Sequence, residues 1–133
     1  MKRSDRFQVL LGLLAVPVVS WSQAVGKLPE LAASPIGYET VAAALKAVQE
    51  KPGTEQRIEN GWLVVIDKAA WTIWSFAPKG HPAYPTAVKR TAVEAKVGST
   101  IETKVLCESD KLSCDSVVMQ FQDLTNRALG IPK

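Results

Sequence analysis

Tyr38, Val41, Ala42, Leu45 and Val48 share one face at helical spacing, and this period predicts an amphipathic helix. Ser34 and Pro35 supply its start signal, Pro52 and Gly53 its stop, and the alanines at 42 to 44 suit close approach to a sheet. Beyond Thr54 the period drops to two. Ile58, Trp62, Val64 and Ile66 alternate with polar or smaller residues along one long strand, with Asn60 and Gly61 as a turn or bulge inside it. After a turn at Asp67 to Ala70 comes "WTIWSF", which sets Trp71, Ile73 and Ser75 on one face and Thr72, Trp74 and Phe76 on the other.

Two further strands, "TAVKRTAVEAKV" and "STIETKVLC", join around Val97 to Ser99. In the second, Ile101, Val105 and Cys107 oppose Glu102 and Lys104, the alternation of a sheet with one wet face. Ser109 and Asp110 then cap a final helix with Leu112, Val117, Val118, Phe121, Leu124 and Ala128 as its apolar stripe, ended by Gly130 and Pro132. The order predicts an α+β domain: an N-terminal helix, a four-stranded antiparallel meander and a C-terminal helix, both helices against one sheet face.

The first 24 residues stand apart. Lys2, Arg3 and Arg6 precede an apolar run from Phe7 to Val19, and Ser22, Gln23 and Ala24 supply a peptidase site. The run is shorter than the roughly 20 residues of a membrane span. This layout predicts a cleavable signal peptide, residues 1–24, cut after Ala24, then a flexible lead-in over 25–35 and one domain over 36–133. No later apolar stretch is long enough to cross a bilayer, and the expected location is the periplasm.

Charge changes meaning once the leader is removed. The chain carries 16 Lys and Arg against 13 Asp and Glu. Three of those cations, and Asp5, lie in the leader, so the rest is close to neutral and its charges are mixed along the chain. A nucleic-acid binder needs a clustered basic excess, and none is present. Export also bears on Cys107 and Cys114, the only thiols in the chain. In an oxidising compartment they are expected to form a structural disulfide that fastens the last strand to the last helix. Two thiols alone make a poor zinc site, and no cofactor or metal is expected.

Candidate chemistry concentrates in "WSFAPKGHPAYPTAVKR", residues 74 to 90. Pro78, Pro82 and Pro85 fix backbone angles, so the loop is stiff and presents its side chains in a set order. Trp74, Phe76, Lys79, His81, Tyr84, Lys89 and Arg90 form the expected binding surface: aromatic anchors rimmed by cations, for a protein or cell-envelope component. His81, the only histidine, could alternatively serve a small hydrolase, but it lies in no recognisable nucleophile motif. An inhibitor or immunity-type protein using the proline loop is a further alternative. Glu55, Glu59, Glu108 and Asp110 read as solvated charges, the last two favoured by the helix dipole.

Across "GYETVAAALKAV", "WSFAPKGHPAYPTAVKR" and "KVLCESDKLSCD" the chain resembles a group of small exported proteins of Gram-negative bacteria without an assigned activity. The resemblance implies export and a compact disulfide-linked domain, and no catalytic residue. A DnaJ-type reading of the His-Pro pair does not transfer. A J-domain carries His-Pro-Asp between two helices, whereas Ala83 follows His81 and Pro82, with strands expected on either side.

Overall fold

A computed structural model describes residues 34–131. The expected leader, and all of the lead-in but its last two residues, lie outside the described residues. The element order is α1 (Val41–Glu50), β1 (Thr54–Glu59), β2 (Trp62–Asp67), β3 (Thr72–Phe76), β4 (Thr86–Glu94), β5 (Ser99–Cys107) and α2 (Lys111–Ala128). The strands form one antiparallel sheet in the order β1-β2-β3-β4-β5.

Five strands replace the expected four. Asn60 (φ 51°) and Gly61 (φ 85°) both take left-handed angles and close a two-residue hairpin with Glu59 opposite Trp62. Such a turn matches the strand twist only with positive φ at both central positions, which Asn-Gly supplies at low cost. The single long strand is therefore β1 folded onto β2. Ile58 pairs with Leu63, not with Trp62, and stands 66% exposed.

The helix expected from Ser34 and Pro35 is also corrected. Residues 34–40 run as turns that bury Ile36, and α1 begins only after Thr40, whose hydroxyl accepts from the Ala43 N–H at 3.0 Å. Its buried face is Val41, Ala44 and Val48, while Ala42 is exposed. Glu108 serves this helix, not α2: its carboxylate accepts from the Val41 N–H at 3.2 Å.

The largest correction concerns the layers, because the two helices cover opposite faces of the sheet. On one face α1 packs with Val65, Trp74, Phe76 and Ala87. On the other, Val117 and Phe121 of α2 pack with Trp62, Val88 and the loop residues Ala77 and Ala83. The reason lies in β2 and β3, whose alternate residues are apolar on both sides and buried on both sides. A sheet centre of this kind needs a cover on each face.

In α2 the buried stripe narrows to Val117, Phe121 and Thr125, leaving Leu112 81% exposed and Ala128 exposed. Gly130 (φ 74°) ends the helix, with Gly130 N–H bonded to the Arg127 carbonyl and Ile131 N–H to the Asn126 carbonyl. Cys107 and Cys114 are joined with their Cα atoms 5.7 Å apart, tying β5 to the first turn of α2. Among the described residues no helix is long and apolar enough to cross a membrane.

Asp110 caps α2, accepting from the Ser113 N–H and hydroxyl, each at 2.9 Å. These bonds hold its carboxyl below the ordinary carboxylate value. A depressed pKa contributes stability above the unfolded-state value that is lost as pH falls through the folded one. Asp110→Ala is therefore expected to lower the melting temperature at neutral pH, with the gap to the wild type closing as the pH falls below that of ordinary carboxylates. A gap unchanged down to pH ~2 would assign the cap no charge contribution.

Candidate functional site

The seven residues expected to form one surface are divided between the core, the two sheet faces and the proline loop. Trp74 and Phe76 are 5% and 3% exposed, stacked on each other beneath α1 with ring centroids 6.0 Å apart. Lys89 lies on the same face, its Nζ 5.4 Å from the Trp74 ring. Arg90, the next residue on the strand, points to the opposite face, where its guanidinium lies 5.5 Å from the Phe121 ring. Adjacent strand residues alternate sides, so the sheet itself separates the two cations.

The proline loop is a structural plug in much of its length. Ala83 is fully buried, and its carbonyl accepts from the Thr86 hydroxyl. The Ser109 hydroxyl donates to the Pro82 carbonyl at 2.9 Å, bolting the loop to the start of α2. His81 Nδ1 accepts from the Ala83 N–H at 3.0 Å, and its ring meets the Trp62 indole edge-on at 5.1 Å. The Tyr84–Pro85 peptide is cis. Only Lys79, Gly80, Pro82 and Tyr84 of this loop reach solvent freely.

Trp71 is the exposed indole. Residue 71 takes φ 53°, sits 74% exposed at the turn before β3, and its backbone carbonyl accepts from the Ala92 N–H at 2.9 Å. A bulky residue in the left-handed region is a local cost. Its position at the start of β3, with the proline loop after the end of that strand, puts about 17 Å between them. Trp71 therefore cannot join Tyr84 in one patch.

The arrangement that does gather polar chemistry is a cleft on the α2 face. Five strands about 4.8 Å apart span about 19 Å, and one helix covers only about 10 Å of that. Because α2 packs on β5 and, through Phe121, reaches Val88 of β4 and Trp62 of β2, the strip it leaves open is β1, whose residues are largely exposed. In the angle between helix and strip is a cavity of about 180 Å³. Arg57 and Glu59 come from β1, Trp62 and Val64 from β2, Ile73 and Ser75 from β3, Arg90 from β4, and Gln120, Phe121 and Leu124 from α2.

Arg90 is the feature of this cleft that lacks a counterpart. Its Nε is buried and has no hydrogen-bond partner among the described residues. Burial pushes the guanidinium below its ordinary pKa, and the charge of Glu59 offsets part of that push. Glu59 is itself held by Arg57, Nε to Oε2 at 2.5 Å. A partly desolvated cation with a donor left open is costly unless something accepts from it. The aromatic ring of Phe121 returns a fraction of that cost.

Of the residues lining this cleft, only Arg90 is among the binding residues expected from the sequence. Glu59 reads there as a solvated charge and Arg57 shows no signal of its own, although a spacing of two on a strand puts both on one face. Gln120 carries no sequence signal, since its place depends on how α2 crosses the sheet. Among the described residues no group of three or more His, Cys, Asp or Glu side chains is placed to hold a metal ion. Comparison with known proteins finds no matching family model, no similar curated protein and no similar solved structure.

Proposed function

We propose that this chain is an exported periplasmic binding domain that acts without catalysis, engaging a protein or envelope component through the cleft beside α2. The observation that carries this reading is Arg90, half-buried over Phe121 with its Nε unpartnered. An unmet guanidinium set between aromatic and apolar walls is the kind of polar anchor that fixes a ligand in an otherwise apolar pocket. The cystine and the lack of a membrane-crossing helix among the described residues are compatible with export. The hydrolase alternative gains no support from His81, whose Nδ1 is occupied by a backbone N–H. The inhibitor alternative leaned on the proline loop, most of which is committed to internal contacts.

Cross-linking in living cells tests this. A photoreactive residue at Gln120, on the exposed rim of the cleft, is expected to trap a specific partner, and Arg90→Gln in the same chain is expected to abolish the adduct. Adducts formed from position 84 and not from position 120 would return the site to the proline loop and defeat the cleft reading.

A further inference from the structure

We propose that the cleft receives a carboxylate, held by the Arg90 guanidinium that lines it, in competition with the carboxylate of Glu59. This assignment rests on the reading of the cleft as the binding site. The Arg90 guanidinium lies against Phe121, so one face is occupied while the buried Nε remains without an acceptor. A guanidinium edge is a planar pair of parallel donors whose best match is an equally planar carboxylate.

Size and charge narrow the class further. A cavity of about 180 Å³ falls short of the roughly 300 to 1,000 Å³ of drug-sized ligand pockets. It admits a small organic acid or the terminal carboxylate of a peptide whose remainder lies outside. The Ser75 hydroxyl and Gln120 amide line the same space and can donate to a second oxygen. Trp62 and Ile73 offer an apolar wall to the carbon skeleton.

A dianionic phosphoryl group fits less well. The second guanidinium, Arg57, is engaged by Glu59 at 2.5 Å, so that pair is close to neutral and only Arg90 is available. Among the described residues Glu59 is also the only acid lining the cleft, and its charge reaches Arg90. Like charges in a partly desolvated site repel, and a double charge would be repelled more. Glu59 thus acts as an internal rival that holds affinity down, and neutralising it frees Arg57 as well.

The test is NMR titration of the purified chain, following the Arg90 Nε–Hε and Trp62 indole resonances. The probes are acetate, a tetrapeptide with a free C-terminus, its C-terminal amide, inorganic phosphate, and chloride at matched ionic strength. Saturable shifts are expected with one or both carboxylates and not with the amide or chloride. Acetate alone marks a free organic acid, and a tighter peptide acid marks a chain terminus. Arg90→Gln should weaken binding about tenfold or more, and Arg90→Lys, which keeps the charge but loses the fork, should fall between.

Glu59→Gln should tighten binding by about threefold or more, an effect opposite in sign to that of a merely structural residue. It also keeps the test alive if Arg90→Gln does not fold. The proposal is overturned if neither carboxylate titrates, if phosphate binds more tightly, if Arg90→Gln binds as the wild type does, or if Glu59→Gln weakens binding. Adducts from position 120 that depend on Arg90, with no carboxylate titrating, would remove this assignment alone. Carboxylate binding without any such adduct would instead remove the macromolecular partner.

Discussion

Replacing Trp74 with alanine is expected to destabilise the domain by about 3 to 5 kcal/mol, the range for emptying a buried aromatic site. The indole is 5% exposed, stacks on Phe76, meets Tyr38 edge-on at 6.0 Å and carries Lys89 above it. A domain of this size has about 5 to 15 kcal/mol in all, so the variant should be unfolded or close to it at physiological temperature. Trp71→Ala offers the contrast. Its side chain is 74% exposed, and the change should stay within about 0.5 kcal/mol. Urea unfolding followed by far-UV circular dichroism separates the two, and a Trp74→Ala midpoint equal to that of the wild type would contradict the packing beneath α1.

Removing the cystine should have the next largest effect. Cys107→Ser together with Cys114→Ser opens a loop with a sequence separation of 7, and loop-closure entropy for that length amounts to about 2 to 3 kcal/mol. For about 100 residues this converts to a fall of roughly 10 to 20 °C in melting temperature. The bond holds the corner where β5 turns into α2, and the Cys107 sulfur packs 3.0 Å from the Thr86 hydroxyl, so the proline loop should loosen with it. Scanning calorimetry of the oxidised and double-serine chains gives the difference. Chain recovered from its native compartment should begin at Val25 and show no free thiol. Free thiols there would remove both the stability term and the export reading.

Period alone carries part of the candidate site. Lys89 and Arg90 are neighbours in sequence, yet the alternation that puts Trp71 and Trp74 on opposite faces also parts these two cations. Arg90 shares its side with Val88, a fully buried residue, and that placement was available from alternation alone. Whether the guanidinium would meet an acceptor there was not. Its acceptor set depends on α2 delivering Phe121 and Gln120 from thirty residues farther along the chain, which local patterning does not encode.

Turn and cap chemistry were legible because they act over a few residues. Asp110 marks the start of α2 and Gly130 its end, and the two cysteines pair with each other, whereas Asn60 and Gly61, expected as a turn or bulge inside one strand, in fact separate two. Helix limits and stripes came out less well. Ala42, Leu112 and Ala128 fit the apolar period yet are exposed, because period assigns a face and not the width of what covers it.

By itself, then, the sequence determined an α+β antiparallel meander, its disulfide corner and its local punctuation, all set by backbone preference and short-range spacing. Only the tertiary structure decided that α1 and α2 cover opposite faces, that Trp74 and Phe76 are core, and that Arg90 lines a cleft with its Nε buried and unpartnered. Those outcomes depend on how two helices share the area of one sheet, and that division is a property of the assembled layers.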